Sequence, residues 1–171
     1  MIKLIGAIML IGGTAAWGLT SVFRLRARCR SLAAVTHALG VMQSEICDRL
    51  TPMPELFVQL ADEAEYPASL LYKNAGDKLQ SLGSASISSI WRKAVSSTPE
   101  LLLAPPEEAV LAELGASLGK YNADEQKNAL VYTRRRMEEF TRRAEQTRDN
   151  DSKMHALLGV ASGVFAVVIF I

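Results

Sequence analysis

Histidine and cysteine are scarce: the 171-residue chain has two of each, His37, His155, Cys29 and Cys47. That excludes a disulfide framework and a zinc centre, which need clustered ligands at short spacing. If both cysteines sit on one helix, their 18-residue separation amounts to about 27 Å of helical rise, far beyond disulfide reach. They read as reduced thiols of a cytoplasmic domain. Neither histidine has a Cys or carboxylate at ligand or proton-relay spacing, so metal and general acid–base chemistry lack their residues. One string, Gly115-x-x-x-Gly119-Lys120, has the outline of a phosphate loop. It is one residue short, lacks Ser or Thr after the Lys, and follows a helical pattern, so it reads as a helix end. No catalytic residue, metal ligand or cofactor is expected. A net charge of +1 gives no electrostatic footprint for nucleic acid. Strand-like alternation of period two is missing throughout.

What is present is a hydrophobic run at each end. Leu4–Phe23 and Met154–Ile171 carry no charge, and Lys3 is the only charged residue outside 24–153. A bilayer core about 30 Å thick takes about 20 helical residues; the first run meets this and the second is at the short limit. Arg24, Arg26, Arg28 and Arg30 follow the first run, and Arg142, Arg143, Arg148 and Lys153 precede the second. Basic residues on the inner flanks place both termini outside and residues 24–153 in the cytoplasm. The alternatives are a signal peptide for the first run, with Thr14-Ala15-Ala16 as a weak cleavage site, and a buried core helix for the second. Small residues at Gly12 and Ala16, and at Gly159 and Gly163, permit close packing of spans in lipid. The expected organisation is a transmembrane helix at 1–23, a cytoplasmic helical domain at 24–153, and a second transmembrane helix at 154–171.

The central segment reads as helix and turn. Leu25, Leu32, Leu39 and Ile46 recur every seven residues, with Cys29, Val35, Met42 and Leu50 between them, on a first helix expected to reach about Leu50. The stripe fits an intramolecular seam; a coiled-coil dimer is the alternative, disfavoured by the absence of regular opposite charges beside it. Thr51-Pro52-Met53-Pro54-Glu55 opens a second helix facing inward with Leu56, Phe57, Leu60 and Ala64. A third is expected to bury Leu70, Leu71, Ala75, Leu79 and Leu82 and to stop at Gly83. A fourth carries Ile87, Ile90, Trp91, Ala94 and Val95, and a fifth Val110, Leu111, Leu114 and Leu118, closed by Gly119. Asn122 with Glu125 starts the last helix, whose inner stripe is Leu130, Met137, Phe140 and Ala144. The fold class is all-α: a six-helix antiparallel bundle whose first and last helices extend into two transmembrane spans.

The charge is segregated along the chain. Residues 24–43 hold four Arg and no acid, whereas 44–113 hold 11 acids and five bases. A basic membrane-proximal end suits anionic lipid, and an acidic distal end suits a basic partner. Candidate docking residues are Glu45, Asp48 and Glu55, followed by Asp62, Glu63 and Glu65. The last three also read as a solvated helix end rather than as a cation site.

Several short patterns now fall in a recognisable order: Leu39-x-x-Met42-x-Ser44-Glu45-Ile46, Thr51-Pro52-Met53-Pro54-Glu55, Trp91, Leu118-Gly119, Asp124-Glu125-Gln126, then Lys153 and Leu158-Gly159-Val160-x-x-Gly163 before Ala166-Val167-Val168-Ile169. Over nearly its full length the chain resembles the stage III sporulation AB family of endospore-forming bacteria. That family is similar to one copy of the cytoplasmic domain of the type II secretion inner-membrane platform protein, an all-helical bundle that links a hexameric ATPase to membrane machinery. The resemblance implies a non-enzymatic adaptor in a secretion-like complex between mother cell and forespore, in the mother-cell membrane around the forespore. It implies as partners the cognate sporulation ATPase, stage III sporulation protein AA, and other membrane proteins of the complex. The platform protein has two such domains and three spans, against one domain and two spans here, so its stoichiometry does not carry over; a platform that needs two domains would need at least a dimer of this chain. The alternative function is a membrane-tethered helical regulator or ligand sensor.

Overall fold

All six prolines lie between Pro52 and Pro106. Proline breaks a helix interior because it lacks the N–H and its ring clashes with the preceding turn. The architecture follows that distribution. The computed structural model describes residues 2–81, 86–118 and 122–170, and the side chains of 23–79, 86–118 and 122–150 within them. Two long helices, α1 (Ile2–Cys47) and α6 (Ala123–Phe170), occupy the proline-free ends. Four short ones fill the middle: α2 (Met53–Glu63), α3 (Ala68–Ser81), α4 (Ile87–Ser96) and α5 (Pro105–Leu114), with a 3-10 turn at Pro99–Leu101. No strand occurs among the described residues.

Local devices mark the starts of α2, α4, α5 and α6, where the first N–H groups lack intrahelical partners. Pro52 and Pro54 open α2. Ser86 caps α4 by accepting from the Ser89 N–H. Pro105 and Pro106 open α5, and Glu107 reaches back to accept from the Ala104 N–H at 2.7 Å. Asn122 Oδ1 accepts from the Asp124 and Glu125 N–H groups at the start of α6.

The chain divides into two compact units, residues 28–142 and the paired ends 1–27 with 143–171. Unit 28–142 is a bundle whose core takes Leu32, Val35, Leu39 and Met42 from α1, and Leu56, Phe57 and Leu60 from α2. The middle helices add Leu71, Tyr72, Ile90, Trp91, Leu111 and Leu114, and α6 adds Leu130, Met137 and Phe140. The α1 stripe is therefore covered by the chain's own helices, as an intramolecular seam requires. Within this unit α1 and α6 run antiparallel. Thr36 Oγ1 meets Thr141 Oγ1 at 3.4 Å, and Gly40 faces the Arg134 guanidinium further along.

One aromatic residue from each of three helices forms the centre. Phe57 of α2 stacks on Trp91 of α4 with centroids 6.0 Å apart, and Tyr72 of α3 is tilted against both. Trp91 Nε1 donates to the Leu111 carbonyl at 2.7 Å, tying α4 to α5. Burial pushes the Tyr72 phenol well above its ordinary pKa.

Several details differ from the sequence reading. Leu50 leaves the stripe, because α1 stops at Cys47 and Leu50 turns outward. Tyr72, which the apolar pattern passes over, is fully buried, while Leu70 and Leu79 are only half-buried. Leu82, Gly83 and Gly119 lie outside the described residues. Gly115 has φ −54, an ordinary helical value, so it is not a left-handed cap. A Cβ there would sit 2.8 Å from Trp91 Cδ1, so this glycine makes room for the ring.

Among the described residues no helix is long and apolar enough to cross a membrane. The side chains of both terminal runs lie almost wholly outside the described residues. The expected spans, and the small-residue steps at Gly12, Ala16, Gly159 and Gly163, fall there.

Candidate functional site

The acids expected to face a partner separate into a clamp, a tip and a helix face. Glu45 is the clamp. Its residue is only 5% exposed, so it does not belong to a docking surface. Its carboxylate accepts from Arg49 Nη1 at 2.8 Å and from Thr51 Oγ1 at 2.7 Å, and its backbone carbonyl accepts from the Thr51 N–H at 3.0 Å. A buried carboxylate is tolerated when its oxygens are occupied in this way. Its role is to close the turn that ends α1.

That turn carries the tip. Leu50 has φ 57, in the left-handed region, and is 75% exposed. Asp48 beside it is exposed and accepts from Ser44 Oγ at 3.2 Å. The start of α6 lies close enough for its Lys127 to act on Cys47. Burial raises the Cys47 pKa; Lys127 pulls it back and Asp48 adds to the rise.

Glu55, Val58 and Asp62 occupy one face of α2 at spacings of three and four residues. All three are exposed. Glu63 and Glu65 are exposed at the far end, with Gln59 Nε2 donating to Glu63 Oε2 at 3.1 Å. The described residues contain no cluster that could hold a metal ion.

The basic residues divide as well. Arg24, Arg26 and Arg30 are exposed on α1, as are Arg142 and Arg143 on α6. Arg148 contacts Asp149 at 2.8 Å, and Lys153 lies outside the described residues. Arg28 departs from the lipid-facing expectation. It turns to Glu107, donating from Nη2 at 2.6 Å to a carboxylate that is almost fully buried. Three residues along, Ser31 Oγ donates to the Leu101 carbonyl at 2.5 Å. Sequence spacing carries no sign of the Arg28–Glu107 pair, because its partners are 79 positions apart. Glu107→Ala removes the acceptor for both Arg28 and the Ala104 N–H. It is expected to lower stability by about 2–4 kcal/mol, measured by urea unfolding. Glu107→Gln should lose clearly less, since its amide oxygen can still accept one of the two bonds; a Glu107→Ala loss below about 1 kcal/mol would show that the polar contacts do not matter.

An open groove of about 680 Å³ runs between α1 and α6, with Ala33, His37, Val41, Arg134, Glu138 and Arg142 among its walls. Arg134 is already paired there with Glu138 at 3.0 Å.

Comparison with known proteins places this architecture. A family model described as stage III sporulation protein AB matches residues 3–171. The stage III sporulation protein AB of Bacillus subtilis (strain 168) is 26% identical over 170 residues, covering 99% of each chain. A solved structure of a stage III sporulation protein AB matches with a TM-score of 0.66 at 25% identity, covering 72% of this chain and 98% of that one. The helical bundle, its order of helices and its full-length match agree: the chain belongs to the stage III sporulation protein AB family.

Proposed function

We propose that the protein is a non-enzymatic membrane adaptor of a sporulation complex, coupling a cytoplasmic ATPase to membrane components. The two terminal apolar runs anchor it in the mother-cell membrane around the forespore, with both termini outside and the bundle in the cytoplasm. The carrying observation is the continuity of α1 and α6. Each is a single helix, of 46 and 48 residues, with one part in the packed bundle and the other in an apolar run. A continuous helix transmits displacement along its axis because every turn is hydrogen-bonded to the next. The partner proposed is stage III sporulation protein AA, received on the acidic distal side by Asp48, Glu55, Asp62, Glu63 and Glu65. The ligand-sensor alternative calls for an enclosed apolar cavity. The α1–α6 groove is open and rimmed by charge, so the adaptor reading stands ahead.

The test is binding of the purified cognate ATPase to the full-length protein in nanodiscs at two salt concentrations. Binding that weakens as salt rises is expected, because exposed charges are screened over about 10 Å at 0.1 M. Asp62→Lys with Glu63→Lys should weaken binding about tenfold and flatten its salt dependence. Absence of wild-type binding at either salt would sink the coupling reading.

A further inference from the structure

Leu50 meets two unfavourable conditions at once. A branched side chain at φ 57 crowds the backbone, and the left-handed residue after a helix is usually Gly or Asn. A leucine that is 75% exposed leaves its apolar surface in water. Asn would relieve both. The turn around it is nevertheless built to hold its shape: the buried Glu45 carboxylate binds Arg49 on one side of Leu50 and Thr51 on the other. Pro52 follows in extended conformation, φ −60 and ψ 141, and restricts the chain on its far side. Strain held in place by surrounding contacts is characteristic of binding positions. The clamp pairs Arg49 with Glu45, which leaves Asp48 and Glu55 as the exposed acids closest to Leu50 in sequence.

We propose that Leu50 is the apolar anchor of the docking surface, entering a partner-protein pocket that is apolar at its base and rimmed by Lys or Arg. This rests on the adaptor reading and names the contact through which the ATPase is held. A single apolar side chain filling a desolvated pocket, ringed by polar contacts, is the usual form of an interface hot spot. Presenting it on a clamped turn avoids the loss of freedom that a mobile loop would suffer on binding.

The test uses full-length protein in nanodiscs and the purified cognate ATPase as probe. Leu50→Asn keeps a residue that tolerates left-handed φ, so the thermal midpoint should hold or rise. Its affinity should fall about 10- to 100-fold, as expected for losing the burial of one leucine side chain. Leu50→Met keeps an apolar side chain and should stay within about threefold of wild type, since Leu-for-Met exchanges are well tolerated. Wild-type binding with unchanged affinity in Leu50→Asn overturns the anchor and leaves the adaptor reading intact. Absence of wild-type binding removes both. A change in self-association of Leu50→Asn by sedimentation, with ATPase affinity unaltered, identifies a second copy as the occupant and also overturns the proposal.

Discussion

Trp91→Ala is expected to destabilise the bundle by about 3–5 kcal/mol, the range for emptying a large aromatic site in a core. Several interactions would disappear together. The Trp91 ring is fully buried, stacks on Phe57 and tilts against Tyr72. Its Nε1–H is the donor to the Leu111 carbonyl, which would be left in the core without that partner. Gly115 has no side chain with which to fill the space, having been kept clear for the ring. Domains of this size are stable by about 5–15 kcal/mol, so the variant should show a sharply lowered urea midpoint. Trp91→Phe separates the contributions. It keeps an aromatic ring and gives up the hydrogen bond and part of the volume, so its loss should be less than half as large. A Trp91→Ala loss below about 1 kcal/mol would show that the site collapses freely and that the three rings are not the centre of the core.

Ala27→Pro and Thr147→Pro are each expected to abolish sporulation while leaving residues 28–142 folded. Proline in a helix interior removes a hydrogen bond and costs about 3 kcal/mol or more, relieved by a kink. At position 147 the broken N–H bond goes to Arg143, whose carbonyl also accepts from Thr147 Oγ1 at 3.0 Å. Both positions lie outside the compact unit 28–142. The kink therefore falls where α1 and α6 leave the bundle, and the core packing of Leu32 and Phe140 is untouched. Two measurements belong together: near-ultraviolet circular dichroism, to show that the aromatic centre is intact, and spore counts. Intact cores with normal sporulation in both variants would remove helix continuity from the mechanism. Disrupted cores would show instead that the bundle depends on its membrane-proximal turns.

Much of the fold is legible in the sequence because its signals are local. Proline positions, the Asn122 cap, and the spacing of Leu32, Leu39, Met42, Leu130 and Met137 act within a few residues of one another. The candidate site is less legible for the opposite reason. Glu45 sits in a helical segment with other charges and looks solvent-exposed until Arg49 and Thr51 fold back onto it. Arg28 looks like its neighbours Arg24, Arg26 and Arg30 until a residue 79 positions away supplies a buried carboxylate. Gly115 reads as part of a helix end, since the sequence does not reveal that a tryptophan ring passes beside it. Leu50 fits the heptad count, and only the early end of α1 turns it outward. In each case the deciding partner is tertiary, whereas periodicity reports the nearest turns alone.

The three-ring centre also governs how the bundle bears load. Because α2, α3 and α4 each contribute one ring, none of them can be drawn away without opening the same cavity. A pull on α2 is therefore shared at once with α3 and α4. It passes to α5 through the Trp91–Leu111 bond and from α5 to α1 through Glu107 and Arg28. The four short helices are thus linked to one another and back to α1, a brace against the helix whose last turn carries the proposed docking tip.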